Sequence, residues 1–232
     1  MKGMILAAGL GTRLKPITNI MPKALVKVNG ITLLERAILK LQKADIEEII
    51  INVHHFADQI EYFLSNNDFG VKIHISDERD MIRGSGGALK HARKFLEGNG
   101  PFIVYNVDVI SNIDLLDMMY LYQNSKALAI LAVRKRETDR LLCFNDTHRL
   151  CGWKNKVTGE QKGQDGHEFA FSGIQLVHPE LLKHMPNGNF SIIDFYIETA
   201  KTETILAYDH SDGDWMDVGT PERLKKAVKS KL

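Results

Sequence analysis

A glycine-rich turn follows the first apolar run of the chain. Gly9 and Gly11 flank one leucine, and Arg13 comes two residues later. Glycine lets backbone N–H groups approach phosphate oxygens that a Cβ would block, and the arginine adds charge at the same place. The turn is not a dinucleotide-binding fingerprint, because Leu14 holds the position of the third glycine. A phosphate cradle and an ordinary tight turn both fit this pattern taken alone.

Two further kinds of residue could act on phosphates. Lys23 follows Pro22, which fixes the backbone before it. Two cations on one long loop can clamp a polyphosphate, although two solvated surface charges would have the same sequence pattern. Asp108 comes directly after an apolar run, where a carboxylate can bind Mg²⁺ but more commonly forms a turn or caps a helix.

Composition predicts one globular domain without a strong overall electrostatic field. The 232 residues are 44% hydrophobic and 25% charged, with 30 basic and 29 acidic residues. This balance predicts no binding to nucleic acid and none to an anionic membrane. No apolar run approaches the roughly 18 residues of a membrane span, and the short apolar start does not resemble a signal peptide. We therefore expect a cytoplasmic protein, with Cys143 and Cys151 reduced.

The elements that must position these residues alternate between strand and helix. Strands are predicted at 2–7, 46–53, 71–76, 102–105 and 127–133, and helices at 32–44, 56–64, 86–96 and 113–124. Thr32 and Glu35 have the spacing of a capping box at the start of the first helix. This order predicts a Rossmann-like, doubly wound α/β fold with a mixed, mainly parallel sheet, whose ligands lie beyond the carboxyl ends of the strands.

After residue 134 the pattern changes to a mixed α+β half. Strands are predicted at 141–145, 150–153, 168–178 and 204–208, with a polar stretch at 158–167, short helices at 179–185 and 191–201, and a last helix after Thr220 and Pro221. We expect mixed or antiparallel pairing here. No linker or repeat divides the chain, so we predict a single domain over 1–232.

Six segments together resemble one enzyme family. Residues 4–14 (MILAAGLGTRL) with 22–25 (PKAL) closely resemble the signature of sugar-1-phosphate nucleotidylyltransferases. Residues 83–88 (RGSGGA) resemble the family's nucleotide loop, 106–108 (NVD) its metal-bearing turn, 171–174 (FSGI) its sugar-pocket strand and 215–221 (WMDVGTP) its late Asp-x-Gly-Thr segment. Among subfamilies, the likeness is strongest to N-acetylmuramate-1-phosphate uridylyltransferases. Two departures are Val107, where the family carries glycine, and Arg83, where relatives carry an uncharged or acidic residue.

The resemblance implies transfer of a nucleoside monophosphate from an NTP to a sugar 1-phosphate, with release of pyrophosphate. It implies that Arg13 and Lys23 are catalytic and that Asp108 and Asp217 bind Mg²⁺. The implied nucleotide-binding residues are Leu6, Ala7, Ala8, Gly9, Gly11, Thr12, Arg83, Gly84, Ser85 and Gly86. The implied sugar-binding residues are Asn106, Lys154, Asn155, Glu168, Ser172 and Gly173. Residues 1–134 would mainly bind nucleotide, and 135–232 would mainly bind sugar and complete the metal site, in a monomer or homodimer.

The base and the acceptor stay open at this point. The resemblance favours UTP and N-acetylmuramate 1-phosphate, but mannose, glucose or heptose 1-phosphate with GTP or dTTP, and phosphocholine with CTP, are alternatives. Phosphocholine would need an aromatic cage, for which Trp153, Phe169 and Phe171 are available. A different class of function is a silent nucleotide-sugar-binding regulatory subunit. The presence of both cations and both carboxylates argues against it.

Overall fold

The computed structural model describes residues 1–230. The strands are β1 (Lys2–Leu6), β2 (Lys27–Val28), β3 (Ile31–Thr32), β4 (Glu48–Val53), β5 (Lys72–Asp77), β6 (Phe102–Asn106), β7 (Val109–Ser111), β8 (Ala129–Arg134), β9 (Arg140–Phe144), β10 (Leu150–Asn155), β11 (Gln161–Gly163), β12 (His167–Val177), β13 (Ile205–Asp209) and β14 (Trp215–Asp217). The helices are α1 (Leu33–Gln42), α2 (Ala57–Ser65), α3 (Gly84–His91), α4 (Arg93–Leu96), α5 (Leu115–Gln123), α6 (Leu181–His184), α7 (Ile192–Thr199) and α8 (Pro221–Lys229). Short 3₁₀ turns lie at Thr12–Leu14, Ile17–Asn19 and Lys23–Leu25.

A ten-stranded mixed sheet forms the centre of the protein. Its main path runs β11-β10-β9-β12-β6-β1-β4-β5, and β8 joins through β12 and carries β13 at its other edge. The strands β6, β1, β4 and β5 are parallel to one another, whereas β12 is antiparallel to β6, β8 and β9. The predicted α/β class and the mixed pairing of the second half are confirmed.

Two hydrophobic cores cover the two faces of this sheet. Successive side chains of a strand point to opposite faces, and in β1 Ile5 belongs to one core while Met4 belongs to the other. Helices α1, α2 and α5 pack on the first face, and α3, α4, α6 and α7 on the second. Doubly covered strands explain why the parallel part of the sequence reads as continuous apolar runs.

Helix ends follow the predicted local chemistry in most places. The side chain of Thr32 accepts a hydrogen bond from the N–H of Glu35 at 3.1 Å, and Thr220 caps α8, which Pro221 begins. The predicted helix at 86–96 instead begins at Gly84 and is divided into α3 and α4 near Ala92.

Within the described residues, every helix falls short of the length and apolar character that a bilayer-crossing segment needs.

Candidate active site

A buried polar network holds the backbone where β1 ends. The side-chain carbonyl of Asn52 accepts hydrogen bonds from the N–H groups of Ala7 and Ala8, at 2.7 and 3.3 Å. The amide of Asn52 donates to Oε1 of Glu78 at 2.9 Å, and burial raises the pKa of that carboxyl group. Because these two N–H groups are already bonded within the protein, the network fixes the start of the glycine-rich turn.

Gly11 allows the glycine-rich turn to pack closely on the next part of the chain. Its φ of +62° lies in the left-handed region, and a Cβ would lie 2.9 Å from Cγ2 of Thr18 and 3.1 Å from Cβ of Lys23. The carbonyl of Gly11 accepts a hydrogen bond from the Thr18 hydroxyl at 2.8 Å. Any larger residue would therefore push apart the two loops that carry Arg13 and Lys23.

Lys23 reaches the turn that follows β6. Its Nζ lies 2.7 Å from Oδ2 of Asp108, and both side chains are largely buried, at 16% and 13% exposure. The turn itself is held to β1, because the N–H of Val107 donates to the carbonyl of Leu6 at 3.3 Å. The Val107 side chain is buried in the core, which explains how this chain accommodates a branched residue where the family has glycine.

A short antiparallel ribbon brings Asp217 beside Asp108. Strands β7 and β14 pair with Asp217 opposite Val109, and the N–H of Val218 donates to the carbonyl of Asp108 at 2.8 Å. A Cβ on Gly219 would lie 3.1 Å from Nη2 of Arg13 and 2.8 Å from Oδ1 of Asp217. The predicted cations and carboxylates, Arg13, Lys23, Asp108 and Asp217, therefore converge.

An open cavity of about 550 Å³ contains most of this cluster. Its wall includes the predicted residues Arg13, Asn106, Asp108, Ser172, Gly173 and Asp217. It also includes Trp215, from the late Asp-x-Gly-Thr segment, and residues that the sequence did not single out, notably Arg136, Glu137, Thr138, Asp139 and Arg223. The cavity has the volume of an ordinary small-molecule site, which spans roughly 300–1,000 Å³.

Strand β12, which the resemblance assigns to the sugar pocket, contributes Phe171, Ser172 and Gly173 to this wall. Gly173 has a φ of +77°, and a Cβ there would lie 2.8 Å from Nδ2 of Asn106. The Ser172 hydroxyl is buried and shares a 2.7 Å hydrogen bond with Nε2 of His210, while the carbonyl of Ser172 accepts from Nε1 of Trp215 at 2.9 Å. Burial, with help from Arg134, lowers the pKa of His210 to about 4, so this ring is neutral at pH 7.

Arg136 and Arg223 are cavity residues that sequence reasoning missed. Arg136 lies over the ring of Trp215, with Cζ 4.7 Å from the ring centroid, and burial lowers its pKa. Arg223, in the first turn of α8, forms an ion pair with both carboxylate oxygens of Asp217. In sequence, an arginine in a polar loop or just after a helix cap cannot be told from a solvated surface charge. Only the three-dimensional contact between Asp217 and the start of α8 shows that Arg223 belongs to the cavity.

Three predicted sugar-binding residues lie outside the wall of this cavity. Lys154 forms ion pairs with Glu168 at 3.0 Å and Asp165 at 2.9 Å, and its two hydrogen-bonded carboxylate partners raise its pKa. The side-chain oxygen of Asn155 accepts from the N–H of Val157 at 3.0 Å, which makes Asn155 a turn residue. The structure thus gives these side chains partners within the protein.

The predicted nucleotide loop packs against the segment before α7. The N–H of Gly86 donates to the carbonyl of Phe190 at 3.0 Å, and the Ser85 hydroxyl accepts from the N–H of Ile192 at 3.0 Å. Arg83 forms an ion pair with Asp80, and none of residues 83–86 lines the cavity around Asp108. Close packing against this segment is therefore a structural reason for glycine in the loop, beside the nucleotide-binding role that the resemblance implies.

The carboxylate pair fits a magnesium ion that takes its other ligands from substrate. Among residues 1–230 there is no cluster of three or more His, Cys, Asp or Glu side chains suited to a metal. Mg²⁺ is commonly held by one or two carboxylates together with substrate phosphates and water. Asp108 and Asp217 supply such oxygens, with arginine and lysine side chains beside them for phosphate groups.

The fold and this cleft define an enzyme that transfers nucleotidyl groups. Comparison with known proteins agrees, because the sequence profile of the family "Nucleotidyl transferase" matches residues 2–141. An N-acetylmuramate alpha-1-phosphate uridylyltransferase from Caulobacter vibrioides is 33% identical over 99% of this chain and 96% of that protein. One from Neisseria meningitidis serogroup B is 30% identical over 98% of this chain and 96% of that protein.

A solved structure supports the same fold. UDP-glucose pyrophosphorylase in complex with UDP-glucose superposes with a TM-score of 0.83 at 21% identity, covering 98% of this chain and 97% of that chain. At this identity the likeness shows the fold alone. With the family profile and the full-length relatives, the chain belongs to the nucleotidyl transferase family and is a sugar-1-phosphate nucleotidyltransferase.

Proposed function

We propose that this enzyme transfers UMP from UTP to N-acetylmuramate 1-phosphate in a Mg²⁺-dependent reaction that releases pyrophosphate. The observation that carries the proposal is that Arg13, Asp108 and Asp217 line one cavity and that Lys23 bonds Asp108 at 2.7 Å. The two full-length uridylyltransferase relatives support the choice of base and sugar.

The chemistry needs alignment and charge neutralisation more than proton transfer. A phosphate oxygen of the acceptor attacks the α-phosphorus of UTP in line, and pyrophosphate leaves. The nucleophile is already ionised at neutral pH, so neither a protein nucleophile nor an obligatory general base is required. Arg13 would stabilise the leaving pyrophosphate, and Lys23 would neutralise the α-phosphate. Asp108 and Asp217 would hold Mg²⁺, which when bound supplies further charge neutralisation to phosphate oxygens.

Arg136 supports an acidic acceptor. N-acetylmuramate carries a carboxylate on its lactyl ether, which N-acetylglucosamine, glucose and mannose lack. Arg136 lines the cavity against Trp215. Its Nη1 and Nη2 make only long hydrogen bonds, 3.5 and 3.4 Å, to the carbonyls of Glu137 and Phe171, and its buried Nε has no hydrogen-bond partner among the described residues. A carboxylate bound there would give the planar guanidinium the oxygen partners that suit it best.

Pyrophosphate release over a panel of substrates tests the proposal. UTP, GTP, CTP and dTTP should each be paired with N-acetylmuramate, N-acetylglucosamine, glucose and mannose 1-phosphates and with phosphocholine, with Mg²⁺ or EDTA. We expect the highest kcat/KM for UTP with N-acetylmuramate 1-phosphate and no turnover in EDTA. In Arg136→Gln, the preference for N-acetylmuramate over N-acetylglucosamine 1-phosphate should fall about tenfold, the scale of one charge-assisted hydrogen bond. Higher kcat/KM with another pair, or turnover in EDTA, would reject the proposed substrates or the metal.

A further inference from the structure

Each carboxylate of the candidate metal site has a side-chain cation bound to it. Lys23 pairs with Asp108 at 2.7 Å, and Arg223 pairs with both oxygens of Asp217. The carboxylates are similarly sheltered, at 13% exposure for Asp108 and 15% for Asp217. The two ion pairs are therefore each charge-neutral when no divalent cation is bound.

Lys23 and Arg223 differ in how easily each side chain can separate from its carboxylate. Lys23 is 16% exposed and lies in a tight loop against Gly11, whereas the Arg223 side chain is 44% exposed. The backbone of Arg223 is anchored, because its N–H donates to the Thr220 hydroxyl at 3.3 Å in the capped first turn of α8. A long side chain on an anchored backbone can swing away from Asp217 without any movement of the helix.

A divalent cation on Asp217 would meet the Arg223 guanidinium at the same oxygens. Like charges at this distance repel, so the arginine must give up Asp217 for the metal to bind there. The released guanidinium remains at the cavity, since Arg223 already lines it together with Arg13 and Arg136. Phosphate oxygens are the natural next partner for a forked arginine side chain.

We propose that Arg223 is the counterion of Asp217 in the unloaded enzyme, that the divalent cation displaces it, and that it then binds the phosphate of the sugar 1-phosphate. This inference rests on the proposed function, in which Asp217 is a metal ligand. It assigns Arg223 two opposite effects: it weakens metal binding before substrate arrives and strengthens acceptor binding afterwards.

Binding of Mn²⁺ to the nucleotide-free protein, measured by calorimetry and by electron paramagnetic resonance, tests the first effect. Arg223→Gln should bind Mn²⁺ about three- to tenfold more tightly than the unaltered protein, the scale of one partly exposed ion pair to a carboxylate. Lys225→Gln removes the same charge from an exposed position of α8 and should leave the Mn²⁺ affinity within about twofold, as for a solvent-screened charge. Asp217→Asn identifies the site by abolishing the binding.

Steady-state kinetics test the second effect. In Arg223→Gln the KM for the sugar 1-phosphate should rise about tenfold, the scale of one lost charge-assisted hydrogen bond, while the KM for UTP changes little. Tighter Mn²⁺ binding together with weaker acceptor binding is a combination that a merely structural role would not produce.

The outcomes separate this inference from the proposed function. If Mn²⁺ binds at a site that Asp217→Asn abolishes but Arg223→Gln leaves its affinity unchanged or weaker, the role of Arg223 is rejected and the metal site stands. An unchanged acceptor KM would reject the second half of the assignment. If no Mn²⁺ binding depends on Asp217, both the inference and the metal assignment fall.

Discussion

Lys23 meets two structural demands at once. Its ammonium group bonds Asp108, and its Cβ packs beneath the Gly11 turn. The position therefore links the glycine-rich turn to the carboxylate after β6. Removal of the side chain would leave Asp108 without its partner in a sheltered site, and it would also remove the charge proposed to neutralise the α-phosphate.

Lys23→Ala should lower kcat at least ~100-fold, the scale of losing one preorganised electrostatic group. Pyrophosphate release at saturating substrates measures the change, with far-UV circular dichroism to establish that the variant is folded. Lys27→Ala, at an exposed lysine of β2, is the matched control and should keep near-normal kcat. Near-normal turnover in folded Lys23→Ala protein would contradict the catalytic role.

Glu78 makes the stability of the protein depend on pH. Burial raises its pKa in the folded state, so the folded protein holds this proton more tightly than the unfolded chain. The group therefore stabilises the fold below its unfolded pKa of about 4.3, and this contribution is lost as the pH rises through the folded value. Glu78→Gln keeps the oxygen that accepts from Asn52 but does not titrate.

Thermal unfolding at several pH values checks this prediction. The stability of Glu78→Gln relative to the unaltered protein should increase from about pH 4 to about pH 7, because only the unaltered protein must ionise a buried carboxyl group. Glu47→Gln, at an exposed glutamate, should show a much smaller trend. A relative stability that stays flat or falls with pH would mean that Glu78 is not strained by burial.

The family resemblance, rather than residue identity alone, predicted part of the cleft. Arg13, Lys23, Asp108 and Asp217 stand in motifs whose types and order are specific, and the structure brings them together. Lys154 and Glu168 were also predicted to bind sugar, and in the structure they pair with each other outside the wall of this cavity. A sequence shows which side chains are charged, but the partner of each is set by distances across strands.

At the level of elements, the start of α3 depends on packing. A helix that begins Gly-Ser-Gly-Gly has poor intrinsic propensity. Contacts with the segment before α7 compensate, since the N–H of Phe190 donates to the carbonyl of Arg83 at 3.2 Å and a Cβ on Gly86 would lie 2.2 Å from Cε2 of Phe190. This dependence also explains why the sequence placed the helix start two residues too late.

Gly86→Ala should destabilise the protein by about 1–3 kcal/mol, the typical cost of overpacking a close contact. Urea unfolding measures the loss. Phe190→Leu removes the ring atoms that the new methyl group would meet, so the double variant should be more stable than the sum of the two single changes predicts. Strict additivity would show that the ring of Phe190 does not limit the residue at 86.

The ribbon of β7 and β14 marks the limit of prediction from local patterns. Each strand has three residues, too few for an alternating pattern to be recognised. The partners are also far apart in the chain, so only tertiary structure brings them together. Longer strands such as β6 and β8 could be predicted because their apolar runs are continuous.

At the scale of the whole molecule, the two halves share one sheet. Strand β12 pairs with β6 and β8 of the first half, and β13 extends the sheet along β8. The strand order was not predictable, because no local sequence pattern indicates that β12 lies between β6 and β9 in the sheet. The single domain that the sequence predicts is consistent with this interleaving.

Unfolding should therefore occur in one transition. Both tryptophans, Trp153 and Trp215, lie in the second half, whereas far-UV circular dichroism reports the helices and strands of the entire chain. Midpoints in urea from tryptophan fluorescence and from circular dichroism should coincide, as for a cooperative unit. A fluorescence midpoint at clearly different urea concentration would show that the second half unfolds separately.

The backbone bond between Val218 and Asp108 closes a large loop at its base. The chain between the two carboxylates includes the cavity residues 136–139 and 171–173, and it leaves the site after Asp108 and returns to it at Asp217. Substitutions or insertions in this part of the chain can reshape the cavity wall while the spacing of the two carboxylates stays fixed. The fold therefore allows substrate preference to change in evolution while the side chains proposed to act on the phosphates are kept.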